Sequence, residues 1–86
     1  MIDEKMKLKI ESAALRRLIN HLQENTELQN IDLMNLAGFC RNCISKWIVE
    51  EAEKMDISLE YEDVRKDVYG MDYKLWKAKF QKPLDK

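Results

Sequence analysis

The chain has 86 residues, of which 45% are apolar and 36% are charged, with two Gly, one Pro and two Cys. Acidic and basic side chains nearly cancel, and the formal net charge of -1 excludes a strong overall attraction to nucleic acid or to an anionic membrane. A chain of this length buries only about 60 to 65% of its unfolded surface, so the core of one copy is thin and a partner chain would help to complete it.

Nothing in the sequence indicates a membrane or secreted protein. No apolar run approaches the ~20 residues that a membrane span needs, and the N-terminal MIDEKMKLKIES lacks the continuous apolar segment of a secretion signal. We therefore expect no membrane partner and a cytoplasmic location. In that reducing compartment, the two cysteines are expected to be thiols or metal ligands rather than a structural disulfide.

The spacing of apolar residues predicts an all-α, single-domain bundle over residues 1–86, with three to four helices around a long central helix. Helix one is predicted from about Asp3 to Glu24. Its buried face is expected to consist of Leu8, Leu15, Leu18, Ile19 and Leu22.

Helix two, the central helix, is predicted from near Ile31 to Lys54 or Met55. Its apolar residues recur at spacings of three and four, namely Leu33, Leu36, Cys40, Cys43, Trp47, Ala52 and Met55. Gly38 interrupts this pattern, at a position where a helix former would be favoured by about 1 kcal/mol. The glycine indicates either the close approach of another backbone or a break that restarts the helix.

Two shorter helices are predicted to follow. Ser58 is expected to cap helix three, from Leu59 to Tyr69, and Gly70 is expected to end it in the left-handed conformation. The inward side chains of this helix are predicted to be Tyr61, Val64 and Val68.

The last helix is predicted from Tyr73 to Phe80, with Asp72 as its cap and an aromatic packing stripe that includes Trp76. Pro83 prevents its continuation, and the tail from about residue 82 is expected to be basic and partly disordered. Because the lysines from residue 74 onward alternate with packing aromatics, we interpret them as solvated and expect no nucleic-acid partner.

One motif resembles a known family. It consists of NIDLMNLAGFCRNC at residues 30–43, the later Lys46-Trp47, the earlier His21-Leu22, and Val68-Tyr69-Gly70-Met71 followed by Trp76-Lys77. This pattern, roughly from residue 13 to 81, is similar to short bacterial proteins catalogued as domain of unknown function 1244. The resemblance implies a small all-helical fold and no established activity. Asp72 stands where Pro is expected in the family, but both residues suit a helix start.

His21, Cys40 and Cys43 are the candidate metal ligands, because imidazole and thiolate are ligands that zinc prefers. A closed zinc site would need a fourth ligand, from a carboxylate such as Asp32 or from a second chain. The preferred interpretation is that both thiols are small core residues and that His21 is a hydrogen-bonded residue at a helix end. No cofactor is then expected, with zinc as the alternative.

The same CxxC pair raises the possibility of redox chemistry, which requires a thiol activated by a helix N-terminus or by a nearby cation. In a continuous helix two, Cys40 lies in the middle and gains little from the helix dipole. If Gly38 breaks the helix, Cys40 enters the first turn and becomes a credible nucleophile. The absence of predicted strands argues against a thioredoxin-like protein.

Helix two also carries polar residues beside its apolar face, and they fall largely along one stripe at helical spacing. Such a stripe can fix the register of helix packing or of a dimer, or line a small pocket, although an ordinary solvated face has the same pattern. The candidate binding or dimer-register residues are Asp32, Asn35, Gly38, Arg41, Asn42, Lys46 and Trp47.

Taken together, these features favour a non-enzymatic cytoplasmic interaction or regulatory module that self-associates, most simply as a homodimer. The alternative is a small zinc-binding protein, enzymatic or not, that uses His21, Cys40 and Cys43. The sequence contains no Gly-rich phosphate loop, nucleophile elbow or plausible catalytic triad.

Overall fold

A computed structural model describes residues 2–83 of the chain, and within them five helices and no strand occur. The all-α class is therefore confirmed. The predicted disordered tail falls mainly on residues 84–86, which lie outside the described residues. The helices are α1 (Glu4–Glu24), α2 (Asn30–Ala37), α3 (Arg41–Lys54), α4 (Tyr61–Tyr69) and α5 (Tyr73–Phe80).

Helix α1 has the predicted bounds but only part of the predicted buried face. Asp3 caps its start by accepting a hydrogen bond of 2.8 Å from the backbone N–H of Met6. Ile19 and Leu22 are buried, whereas the prediction of burial is wrong for Leu8, Leu15 and Leu18, which are exposed. The reason is that the rest of the fold packs only against the C-terminal half of this helix.

The prediction of one helix from Ile31 to Lys54 or Met55 is wrong and the alternative of a break at Gly38 is confirmed, because α2 and α3 are separate helices. Gly38 ends α2 with a φ of 77°, and its N–H donates to the carbonyl of Met34. A Cβ on Gly38 would meet no atom within 4 Å, so the left-handed turn, and not a close backbone approach, explains this glycine. Cys40, with an extended backbone, then becomes the N-cap of α3.

The two C-terminal helices agree more closely with the predictions. Helix α4 begins at Tyr61 after its N-cap Glu60, so the predicted cap at Ser58 is wrong by two residues. Gly70 ends it with a φ of 77°, as predicted. Helix α5 has the predicted bounds, although the Asp72 side chain at its N-cap position makes no capping hydrogen bond.

The core lies between α1, α3 and α4. It consists of Ile19, Leu22, Ile44 and Val68, surrounded by the partly buried Leu28, Leu33, Phe39, Ile48 and Val64. Helix α4 packs against α1, α3 and α5, so the central position predicted for helix two belongs to the nine-residue α4. On α5, Trp76 is buried as predicted. Within the described residues, no helix combines the length and the apolar character required to cross a membrane.

Candidate functional site

Arg41, at the start of α3, is the most deeply buried charged residue among those described, with 1% of its surface exposed. Its Nη1 donates to the carbonyl of Leu28 at 2.6 Å and to Oδ1 of Asn30 at 3.1 Å. Its Nη2 donates to the carbonyls of Leu22 at 3.0 Å and Asn25 at 3.1 Å. The guanidinium therefore joins α3 to the end of α1 and to the link before α2.

The charge of Arg41 is compensated by backbone dipoles. The carbonyls of Leu22 and Asn25 lie at the C-terminal end of α1, where the helix dipole is negative and carbonyl groups lack partners within the helix. Burial lowers the pKa of Arg41, but a guanidinium stays protonated in proteins. Its centre also lies 4.8 Å from the ring centroid of the buried Trp76, a cation–π contact that includes α5.

A tyrosine hydroxyl extends this arrangement to α4. The Tyr69 hydroxyl accepts a hydrogen bond of 2.9 Å from Nδ2 of Asn30 and donates one of 2.7 Å to Oδ1 of Asn42. Burial raises the pKa of the Tyr69 hydroxyl, so it is neutral at physiological pH. We call Arg41, Asn30, Tyr69 and Asn42 the arginine network.

Two glutamine side chains form hydrogen bonds with backbone groups at the ends of other helices. Nε2 of Gln29 donates to the carbonyl of Phe80 at 3.0 Å, while its Oε1 accepts from the backbone N–H of Lys82 at 2.8 Å. Nε2 of Gln23 donates at 3.0 Å to the carbonyls of both Asp67 and Val68, at the end of α4. The C-terminal ends of α1, α4 and α5 are thus each closed by a side chain from elsewhere in the chain.

The two thiols lie together next to the arginine network. Their sulfur atoms are 3.7 Å apart, and both cysteines are free. Cys40 is 7% exposed and Cys43 is half-buried. Burial raises the pKa of the Cys40 thiol, and the backbone N–H groups of Cys43 and Asn42 act in the opposite direction. Because Gly38 breaks the helix, the pair occupies the first turn of α3 and not the middle of a long helix.

A cavity of about 340 Å³ opens beside the thiol of Cys40. This volume is at the small end of the range for ligand pockets. The lining residues relevant to the site are Asn30, Met34, Cys40, Asn42, Tyr73 and Lys82. The lining therefore includes residues with amide, thiol and ammonium side chains together with the apolar Met34.

The structure does not bring the predicted metal ligands together. Cys40 and Cys43 are adjacent, whereas His21 is exposed at the end of α1 and its ring lies 3.4 Å from Nδ2 of Asn25. Between residues 2 and 83, no group of three or more His, Cys, Asp or Glu side chains is arranged to hold a metal ion.

The predicted polar stripe is divided by the break in helix two. Arg41 is buried and Asn42 is half-buried, and both belong to the arginine network. The other predicted residues of the stripe are exposed, namely Asp32, Asn35, Gly38, Lys46 and Trp47. The ring of Trp47 stacks on that of Phe39, with centroids 6.2 Å apart.

Sequence reasoning missed the roles of Tyr69 and Asn30. One signal was available for Arg41. In the sequence, the positions three and four residues before and after Arg41 hold Ala, Gly, Ile and Ser, so no carboxylate can neutralise the guanidinium locally. An arginine without such a partner, next to core residues, points to backbone carbonyls as its acceptors.

The comparisons with known proteins identify a family without an assigned activity. The family model described as "Protein of unknown function (DUF1244)" matches residues 28–86, which is more than half of the chain and includes the arginine network and both thiols. All of α1, with His21, precedes the matched range. No curated protein matches the chain. The chain therefore belongs to the DUF1244 family, in agreement with the resemblance of its NIDLMNLAGFCRNC motif.

Proposed function

We propose that the protein is a non-enzymatic cytoplasmic interaction module that acts as a homodimer, and that α1 provides the contact between the two copies. The contact surface is the part of α1 from residue 4 to residue 15, which we call the projecting segment. Every residue of this segment is exposed. The first side chain of α1 that pairs with another helix is Arg16, whose guanidinium lies 2.9 Å from the Asp67 carboxylate.

The observation that carries this proposal is the continuity of one apolar face. Leu8, Leu15 and Leu22 are seven residues apart and therefore lie on one side of α1. Leu22 is buried in the core, but Leu8 is 56% exposed and Leu15 is 40% exposed. The apolar face of α1 thus continues beyond the core, where none of the described residues of the same chain covers it.

The dimensions of the molecule indicate that a single copy is less compact than is usual for a chain of this length. The radius of gyration is 14.6 Å, whereas a compact chain of this length is expected to have about 12 Å. The principal extents are 50 × 29 × 20 Å. An apolar helix that projects into water is marginally stable by itself, so a cover over the projecting segment would stabilise both the helix and the fold.

A second copy of the same chain is the partner that best fits the projecting segment. In an antiparallel pair related by a two-fold axis near residues 11 and 12, Leu8 of each copy meets Leu15 of the other. Ser12 lies near that axis on the same face as Leu8 and Leu15, and its small side chain allows the two helices to approach closely there. The same surface then covers itself, without the need for an unrelated partner.

The mass in solution tests the proposal. We expect two chains per particle for the wild type at tens of micromolar, by size-exclusion chromatography with light scattering. The double variant Leu8→Glu/Leu15→Glu should give a single chain, because it places charge at the centre of the apolar contact. Leu75→Glu is the matched control, since Leu75 is 47% exposed on α5, away from the projecting segment, and this variant should remain dimeric.

Two results would contradict the dimer. One is a wild type that stays monomeric at these concentrations. The other is a Leu8→Glu/Leu15→Glu variant that remains dimeric while circular dichroism shows an intact helical fold.

A small zinc protein is the second candidate, because two of its three proposed ligands, Cys40 and Cys43, lie 3.7 Å apart. His21 would have to leave Asn25 and reach the thiols, or a second chain would have to supply the missing ligands. Metal analysis of protein purified without chelator tests this candidate. Stoichiometric zinc that is lost in Cys40→Ser and Cys43→Ser would support it, and zinc-free protein would exclude it.

A further inference from the structure

We infer that Cys40 and Cys43 form a reversible dithiol–disulfide couple in which Cys43 is the thiol that reacts first with an external disulfide. The couple lies at the start of α3 and uses no residue of the projecting segment. Its test is therefore independent of the proposed dimer.

The geometry of the break makes an intramolecular disulfide accessible. Two cysteines three residues apart on a regular helix have Cβ atoms about 5–6 Å apart, too far for a disulfide, which needs about 3.8 Å. Cys40 is not on the regular helix, because its backbone is extended, with φ of -150° and ψ of -177°. This conformation brings the two sulfur atoms to 3.7 Å. The remaining approach to a bond of about 2.05 Å requires side-chain rotation and no unwinding of α3.

The surroundings of the two sulfurs give them different roles. Cys43 is half-buried, and an external disulfide can reach it, whereas Cys40 is 7% exposed. Burial raises the pKa of the Cys40 thiol and the nearby backbone N–H groups of Cys43 and Asn42 oppose that rise, while the Cys40 side chain makes no capping hydrogen bond. Cys40 is thus placed to react second, by attack on the Cys43 sulfur, which lies 3.7 Å away.

The oxidant that we assign is a small-molecule disulfide such as oxidised glutathione. The Cys43 thiolate attacks one sulfur of that disulfide, which forms a mixed disulfide and releases one small thiolate. The Cys40 sulfur, as it loses its proton, then attacks the Cys43 sulfur, which forms the Cys40–Cys43 bond and releases the second small thiolate. The two protein thiols lose two electrons and two protons, and the small disulfide gains them as two thiols.

The Phe39–Trp47 stack places a natural reporter beside the couple. Phe39 directly precedes Cys40, and Trp47 lies one helical turn after Cys43. Because Trp47 is exposed and its ring stacks on Phe39, a change at the start of α3 should alter its fluorescence. The other tryptophan, Trp76, is buried on α5. A Trp47→Phe variant identifies which ring reports the change.

The experiment treats the reduced full-length protein with mixtures of oxidised and reduced glutathione, followed by an acid quench and intact-mass measurement. For the wild type we expect a loss of two hydrogens, no persistent glutathione adduct, and full reversal by excess reduced glutathione. In Cys40→Ser, Cys43 should accumulate one glutathione adduct, because no second thiol can displace it. In Cys43→Ser, the remaining Cys40 should react several-fold more slowly than Cys43 does in Cys40→Ser.

Controls keep the result interpretable. Cys40→Ala replaces Cys40→Ser if the serine variant does not fold, as judged by circular dichroism, and urea-unfolded protein shows that both thiols react once they are exposed. A wild type that accumulates glutathione adducts without losing two hydrogens would overturn the couple. Stoichiometric zinc that blocks both thiols would also overturn it. Equal reaction rates of the two single-cysteine variants would overturn the assignment of Cys43 as the first thiol.

Discussion

The projecting segment of α1 carries Met6, Leu8 and Ile10 in contact with water, whereas the arginine network holds a guanidinium and a tyrosine hydroxyl inside the fold. Polarity therefore does not decide which groups are buried in this chain. The arginine network is buried because each of its polar groups finds a partner, and most of those partners are helix-end carbonyls or side-chain amides. The projecting segment is exposed because one copy offers it nothing to pack against.

This difference shows how a chain with a thin core can be stabilised. Short helices leave many carbonyl groups without partners, and in a small domain a large fraction of these lie near the interior. Arg41, Gln23 and Gln29 supply donors to the ends of α1, α4 and α5. Side-chain donors at helix ends thus join helices that a small apolar core holds only weakly.

Arg41→Ala should have the largest effect on stability. It removes four hydrogen bonds from the guanidinium and leaves three backbone carbonyls without these donors. We expect a loss of about 3–5 kcal/mol in the free energy of unfolding, measured with urea. Arg16→Ala is the matched control, since its ion pair with Asp67 is exposed and should be worth no more than about 1 kcal/mol. Similar losses in both variants would contradict the central role of Arg41.

Alanine substitutions of Leu22 and Leu8, which lie on the same side of α1, should distinguish the core from the projecting segment. Leu22→Ala should cost about 2–5 kcal/mol and lower the unfolding midpoint at every protein concentration, because it leaves a cavity in the core. Leu8→Ala should instead remove the dependence of the midpoint on protein concentration, since that dependence comes from self-association. If Leu8→Ala costs as much as Leu22→Ala at all concentrations, Leu8 belongs to the core of a single copy.

Tyr69→Phe tests the buried hydroxyl. The substitution leaves Asn30 and Asn42 each without one partner, and we expect a loss of about 1–3 kcal/mol at neutral pH. Burial raises the pKa of Tyr69 above its ordinary value of 10.0, so the unfolded chain ionises first as the pH rises. The contribution of the neutral hydroxyl is therefore complete below about pH 10 and declines above it.

The corresponding measurement is the free energy of unfolding of wild type and Tyr69→Phe between pH 8 and 11, the range that brackets the ordinary tyrosine pKa of about 10. The two curves should converge as the pH rises, because the variant lacks the group that ionises. Parallel curves across this range would show that Tyr69 is accessible to solvent in the folded protein.

Alanine substitutions at the two glycines should give losses of different size. Both have a φ of 77°, so alanine at either position is strained by about 1–2 kcal/mol. At Gly70 a Cβ would lie 3.0 Å from the Gln23 side chain, which caps α4, whereas nothing lies near Gly38. Thermal melting should therefore show a greater loss for Gly70→Ala than for Gly38→Ala, by about the 1 kcal/mol of one hydrogen bond. Equal losses would mean that Gln23 moves aside without cost.

Local sequence signals predicted the helices well where one short-range feature decides the outcome. Asp3, Gly70 and the aromatic spacing of α5 each act within a few residues, and the bounds of α1 and α5 follow from them. Gly38 shows the limit of local signals. This glycine interrupts the helical pattern of its segment, but the choice between a close approach of another backbone and a helix break depends on atoms that are distant in sequence.

The candidate site depended even more on the tertiary fold. Arg41 was grouped with the polar candidates of one continuous helix two, whereas α3 is a separate helix and this side chain is buried. Tyr69 and Asn30 are 39 residues apart in sequence, and no local pattern pairs them. The predicted buried face of α1 was right for Ile19 and Leu22 and wrong for its other three leucines, because helical spacing does not indicate which part of a helix the rest of the chain covers.

Hydrogen–deuterium exchange of the α1 amides tests the central claim most directly, because a projecting helix without a partner should fray and exchange quickly. At tens of micromolar, we expect slow exchange for residues 8–15 in the wild type and in Leu75→Glu, and fast exchange in Leu8→Glu/Leu15→Glu. Residues 19–22, which pack in the core of one copy, should be equally protected in all three proteins. Identical exchange of residues 8–15 in the wild type and in the double variant would contradict the account.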